Sequence, residues 1–240
     1  MQAQTGRQRH PHDRFRGVSL AKSAAKQAIV EAFIATVEAK SLRSVQVSRL
    51  IEKLGINRNT FYYHFPSKYD VALYVFRTDL AQCLVEEFHD YELVYAPLSK
   101  SSDSESLPFY VHREIGARTL DFGDFFKTLV TCTLARPRFY GKLFDQREPE
   151  FRSLISELYR PAVTRDLDFV LGGRYLPACT LELFQTRYTD LVYDTAEYYL
   201  HHSRDAELML DSAVNPFWNM PYEALVYELQ MHSVKRPRHL

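Results

Sequence analysis

Glycine is scarce in this chain, with 8 in 240 residues. That is too few for a glycine-rich sandwich, and it leaves little material for a phosphate-cradling loop. Cysteine is scarcer. Cys83, Cys132 and Cys179 are odd in number, far apart and never in a CxxC pair. They argue against a disulfide framework or a zinc site and read as buried thiols in a reducing compartment. No stretch approaches the ~20 apolar residues that cross a bilayer. The opening MQAQTGRQRHPHDRFRG has no apolar core of an export signal, so a cytoplasmic protein is expected. Net charge is absent too: 30 Lys and Arg balance 30 Asp and Glu. What is present, 46% hydrophobic and 25% charged residues, is ordinary for a globular chain able to bury a core without metals or disulfides.

The zero charge hides an asymmetry. Residues 1–78 hold 13 Lys and Arg against 5 Asp and Glu, a net +8; the rest holds 17 against 25, a net −8. A basic N-terminal third on an acidic body suits a polyanion-facing module joined to something else. The alternative is that these charges merely solvate a surface.

Residues 1–18 are polar, Arg-rich (Arg7, Arg9, Arg14, Arg16) and without periodicity, which predicts a disordered basic arm. From Ser19, Ala25, Ala28, Ile29, Ala32, Phe33 and Val37 recur at helical steps up to Lys40. A short second helix comes next, buried through Val47, Leu50, Ile51 and Leu54 and stopped by Gly55. Asn57 is a good N-cap for a third helix, Arg58 to about His64, which Phe65-Pro66 ends. Ser67-Lys68-Tyr69-Asp70 has the form of a capping box and opens a fourth helix running towards Pro97. Residues 97–108 (PLSKSSDSESLP) read as an acidic, Ser-rich loop. Beyond them helical patterns dominate, broken at Pro137, Pro149, Pro161, Gly172-Gly173, Pro177 and Pro216. No period-two alternation persists long enough to predict a sheet.

Helix, Gly-containing turn, helix, with basic and amide side chains on the second helix, is what a DNA-binding helix-turn-helix requires. Phe61 is expected to face the core. Arg58 and Tyr62, and likewise Asn59 and Tyr63, lie one turn apart on the other side. Arg can grip guanine O6 and N7, and Asn can grip adenine N6 and N7. Tyr hydroxyls and Lys ammonium groups suit phosphates. The candidate DNA-binding set is Gln46, Ser48, Arg49, Asn57, Arg58, Asn59, Thr60, Tyr62, Tyr63, His64 and Lys68.

Residues 28–73, above all LIEKLGINRNTFYYHFPSKYDV (Leu50 to Val71), resemble the N-terminal domain of the tetracycline-repressor (TetR) family of bacterial transcription regulators. The matching pieces are Gly55, Thr60, Tyr62, the aromatic run ending at Phe65, and Lys68 after Pro66-Ser67. The run Ile-Asn-Arg-Asn-Thr-Phe-Tyr is similar to the subset that regulates dihydroxyacetone-kinase genes. Gln46 stands where the family usually has Thr, and Ile51 and Leu54 where it has small alanines. The resemblance implies an all-α chain: a three-helix DNA-binding domain at 19–66, then a larger helical effector-binding and dimerisation domain at 67–240. It further implies a homodimer on a double-stranded operator, acting as a repressor under an effector. An activator or adaptor controlled by a protein partner is the alternative, and an all-helical enzyme a more distant one.

Two spacings fit the implied dimer. Leu181, Phe184, Tyr188, Leu191 and Tyr198 repeat at steps of three, four or seven, as do Trp218, Tyr222, Leu225 and Leu229. Either seam could instead be intramolecular core. Phe139, Tyr140, Phe144, Phe151, Tyr159, Phe169 and Tyr175 could line a pocket for a flat or apolar effector, or be plain core packing. Asp121, Asp124, Asp166 and Asp168 read as surface carboxylates, and His201-His202 as a solvated helix end. No catalytic set, metal or cofactor is expected.

Overall fold

The computed structural model describes residues 11–98, 106–202, 210 and 220–235. The chain divides into two compact units, Met1–Val71 and Ala72–Leu240. Among the described residues no helix is long and apolar enough to cross a membrane.

In the first unit, α1 (Pro11–Ala39) begins earlier than its apolar pattern, so residues 11–18 are helical rather than part of an arm. Proline is favoured at a first helical position, where its missing N–H has no partner to lose. Residues 1–10 of the expected arm lie outside the described residues. Ile29, Ala32, Phe33 and Val37 of α1 are buried against α2 (Val47–Leu54) and α3 (Arg58–His64). Gly55 ends α2 at φ 62°, and its amide and that of Ile56 return to the Glu52 and Ile51 carbonyls. Asn57 caps α3, its side-chain oxygen accepting from the Thr60 amide at 2.9 Å. Ser67 opens α4 (Lys68–Glu87) as a capping residue: its hydroxyl accepts from the Tyr69 and Asp70 amides and donates to the Asp70 carboxylate at 2.6 Å.

The second unit departs from the sequence expectation near its start. The helix α4 stops at Glu87, and the chain then forms a hairpin of β1 (Glu92–Pro97) and β2 (Ser106–His112), antiparallel from Glu92↔His112 to Pro97↔Ser106. The ends of the expected 97–108 loop therefore belong to strands, while 99–105 lie outside the described residues. Period two fails to reveal β2 because Pro108 to His112 is buried throughout, without an exposed alternate. Short pairs β3 (Glu114–Gly116) with β4 (Thr119–Leu120) and β5 (Arg174–Tyr175) with β6 (Val234–Lys235) complete the strands described.

The helices of this unit are α5 (Gly123–Leu134), α6 (Pro137–Leu143), α7 (Pro149–Leu171), α8 (Ala178–His201) and α9 (Met220–His232). Pro137 and Pro149 occupy first-turn positions and Gly172 ends α7 at φ 54°, as their residue types favour. Pro161 does not break the pattern; it lies inside α7 on an exposed face, where water can serve the carbonyl a proline cannot reach. Around α7 pack α8 and α9, and α5 packs on α8 and α6. Pro216 lies outside the described residues.

Candidate nucleic-acid interface

Two outward faces are built by the helices after α1. Phe61 turns fully inward from α3 and Leu50 from α2, so each helix has a fixed rotation about its axis. On α3 that leaves Arg58 and Asn59 exposed, with Tyr62 42% and Tyr63 64% exposed. The Arg58 guanidinium carbon lies 5.4 Å from the Tyr62 ring centre, one turn along the same face. Tyr63 meets the His64 ring edge-on at 5.0 Å, and His64 and Thr60 are half-buried. From the α2 side, Gln46, Ser48 and Arg49 are exposed or half-exposed, and Gln46 makes no side-chain cap bond. Asn57 is exposed, yet its carbonyl oxygen is committed to the cap.

Lys68 is half-buried and turned to the main chain. Its ammonium donates to the carbonyls of Leu42 at 3.0 Å, Arg43 at 2.9 Å and Val45 at 3.4 Å. Three N–H bonds can be donated, and three carbonyls between α1 and α2 take them. The residue secures the first turn of α4 to the segment that carries α2. The ammonium that the sequence offers as an anion contact is held by three carbonyls of residues twenty-three to twenty-six positions earlier.

In the second unit the aromatic set divides between core and surface. Phe139, Tyr140, Phe144, Phe151 and Tyr159 are fully buried. Phe144 meets Phe151 at 5.5 Å and Tyr193 at 5.0 Å, Phe76 meets Phe144 at 5.6 Å, and Tyr159 meets Phe109 at 5.5 Å. These edge-on and tilted contacts are core packing. Phe169 is half-buried against His112, and Tyr175 is exposed on β5. An open cleft of about 370 Å³ lies elsewhere, lined by Cys83, Glu86, Glu87, Asp124, Lys127, Thr128 and Thr131.

Several charged side chains are more engaged than their sequence positions suggest. Asp166 is buried, not at the surface: its carboxylate accepts from Tyr110 Oη at 2.6 Å and meets His112 Nδ1 at 2.6 Å. Asp121 and Asp124 both pair with Arg113. Arg77 has 1% of its surface exposed and donates to the carbonyls of Pro97 at 2.7 Å, Leu107 at 3.0 Å and Ala96. Nor are the three cysteines uniformly buried, since Cys132 is, Cys83 is half-buried and Cys179 is exposed.

The seam residues divide. Leu181, Phe184, Tyr188 and Leu191 of α8 are half-buried and Tyr198 is half-exposed. Leu225 and Leu229 of α9 are instead buried within the chain, because α9 packs against α7. Trp218 and the side chain of Tyr222 lie outside the described residues.

Residues 29–75 match the family model for bacterial regulatory proteins of the tetR family. Two solved structures align with the chain. One is a "Dihydroxyacetone kinase operon activator DhaS", 12% identical over 87% of this chain and 98% of its own, with a TM-score of 0.41. The other is a tetR-family transcriptional regulator from Streptomyces coelicolor, 17% identical over 88% of this chain and 90% of its own, with a TM-score of 0.42. No curated protein matches the chain. A helix-turn-helix with an exposed Arg-Asn-Tyr face, together with the matched segment, defines a DNA-binding transcription regulator. The tetR-family match covers residues 29–75, the part of the chain that holds this helix-turn-helix.

Proposed function

We propose that the protein is a homodimeric, sequence-specific repressor of the cytoplasm, in which a signal received by residues 67–240 controls operator binding by residues 19–66. The observation that carries this reading is the outward display of Arg58, Asn59, Tyr62 and Tyr63 on a helix held by Phe61 inside and Asn57 at its cap. In the major groove Arg58 and Asn59 read base edges, while Tyr62, Tyr63, Gln46, Ser48 and Arg49 meet phosphates. The dimer surface centres on α8, where Leu181, Phe184, Tyr188, Leu191 and Tyr198 leave apolar surface uncovered, joined by exposed Leu183. On α9 the contributors are Tyr227 and Met231, both exposed, in place of Leu225 and Leu229. Two heads on one face of DNA must sit about 34–36 Å apart, so a signal that alters their separation by a few ångströms ends simultaneous docking.

Selection of duplexes from a random pool, followed by titration at several salt concentrations, tests this. The expected result is one enriched inverted repeat, bound with an affinity that falls steeply with salt. Salt-insensitive binding, or no enrichment, would refute it. A second reading, control by a protein partner instead of a small molecule, is favoured by the filling of the core with Phe139, Tyr140, Phe144, Phe151 and Tyr159. Neither reading assigns a catalytic step to the chain.

A further inference from the structure

Arg77 on α4 is a buried cation whose partners are all uncharged. Its guanidinium is 1% exposed and donates to the carbonyls of Pro97 at 2.7 Å, Leu107 at 3.0 Å and Ala96. Carbonyls take its hydrogen bonds but do not balance its charge, and among the described residues no carboxylate pairs with it. Its Nε–H is buried and meets no acceptor. Tyr159 on α7 repeats the pattern: the residue is fully buried and its hydroxyl has no hydrogen-bond partner. Both groups border one ring. The centre of Phe109 lies 5.9 Å from the Arg77 guanidinium carbon and 5.5 Å from the Tyr159 ring centre. Tyr110 and Phe125 also meet the Tyr159 ring, at 6.2 and 6.0 Å. A buried charge is costly unless an opposite charge offsets it, and a buried donor is costly unless an acceptor meets it. Water answers the second need alone; an anion answers both.

We propose that the second unit holds a site for a small aromatic carboxylate, bound through the Arg77 Nε–H and the Tyr159 hydroxyl. One carboxylate oxygen accepts from Arg77 and the other from Tyr159, while the ring of the acid packs among Phe109, Tyr110 and Phe125. The guanidinium charge selects acids over their amides and rejects amines. The rings close over both polar groups, so entry requires Phe109 and its neighbours to turn aside, and the acid stabilises that turned arrangement. This deepens the reading in which residues 67–240 receive a signal, because it names the chemistry of the signal, and it rests on that reading for any effect on DNA.

The test records melting temperature and titration calorimetry of the full-length chain with benzoate, phenylacetate and hydrocinnamate, with the amide of each, and with benzylamine. At least one acid is expected to raise the melting temperature and to bind about tenfold or more tighter than its amide, with no effect of benzylamine. Tyr159→Phe discards a hydroxyl that has no partner, so the variant should melt no lower than the parent yet bind that acid about tenfold more weakly. An NMR spectrum of the arginine side chains reports on the other group: the acid should shift one Nε–H resonance that is missing in Arg77→Lys. Failure of all three acids to bind, equal affinity for acid and amide, or unchanged affinity in Tyr159→Phe would overturn the proposal. So would a shifted resonance that persists in Arg77→Lys. None of these measurements contains DNA, and the selection of duplexes contains no acid, so either reading can fail while the other stands.

Discussion

The Lys68 ammonium lies 3.0 Å from the Leu42 carbonyl and 2.9 Å from that of Arg43, joining the first turn of α4 to the segment between α1 and α2. Hydrogen bonds from a charged donor contribute about 1.5–3 kcal/mol. Lys68→Met is therefore expected to destabilise the N-terminal unit by about 2 kcal/mol in urea denaturation. Its DNA affinity should fall only as the folded fraction falls, with the salt dependence of the folded protein unchanged. A variant of full stability whose salt slope drops by about one ion would show that Lys68 neutralises a phosphate instead.

The pairing of Arg58 with Tyr62 separates two kinds of recognition on one helix face. Arg58→Ala should cost about 1–3 kcal/mol at one base position and relax the preference there. Tyr62→Phe keeps the ring beside Arg58 but loses the hydroxyl, so it should weaken all duplexes to a similar extent. Competition of each variant for a library of single-base operator changes measures both. Equal loss across all sequences for Arg58→Ala would place that residue on the phosphates.

The turn between α2 and α3 was legible from sequence because its determinants are local. Gly55 adopts the left-handed conformation that a helix end asks of glycine, and Asn57 caps a bond only three residues away. Ser67 and Asp70 work at the same range. Lys68, Arg77 and Asp166 were not legible, since their partners lie 19 to 56 residues away and only the fold brings them together. The same holds for the aromatics of the second unit: their spacing marks helical faces, and nothing in spacing tells a packed core from the wall of a cavity. Two local changes test the legible part. Asn57→Ala should cost about 1 kcal/mol of stability, and Gly55→Ala about 1–2 kcal/mol because Cβ disfavours φ 62°. Thermal denaturation of the N-terminal transition measures them; unchanged midpoints would contradict the capping geometry.

Stability of the second unit should depend on pH through His112. Its imidazole is buried, and the hydrogen bond to Asp166 raises its pKa, helped by the Asp166 charge and Glu114 and opposed by burial and Arg165. A base whose folded pKa is raised binds its proton more tightly when folded, so the contribution is fully present below the unfolded value of about 6.5. It is lost as pH rises through the higher folded value. Melting temperature should accordingly fall as pH rises above about 6.5, and His112→Gln should flatten that slope. A parent and variant with identical pH profiles would remove His112 as the cause.

Arg77 is a buried guanidinium whose polar partners are main-chain: the carbonyls of Ala96 and Pro97 in β1 and of Leu107 in β2. Burial lowers its pKa from the usual value, while the Phe109 ring, 5.9 Å from the guanidinium carbon, gives the charge a favourable face. The strands are short and end where the chain leaves the hairpin, so this side chain holds together a pairing that two strands alone sustain poorly. Arg77→Met keeps the apolar stem and removes every donor. Each carbonyl left buried without a partner costs about 1–3 kcal/mol, so a loss of about 3 kcal/mol or more is expected. Hydrogen exchange should quicken first at the amides of 92–96, 106–107 and 109–112, before the helices open, because the carbonyls that lose their partner belong to these strands. Arg77→Lys retains the charge but not the fork that reaches two strands at once, and should fall between parent and Met variant. If Arg77→Met melts like the parent with the hairpin still protected, water must be serving those carbonyls and the arginine is not what holds β1 to β2.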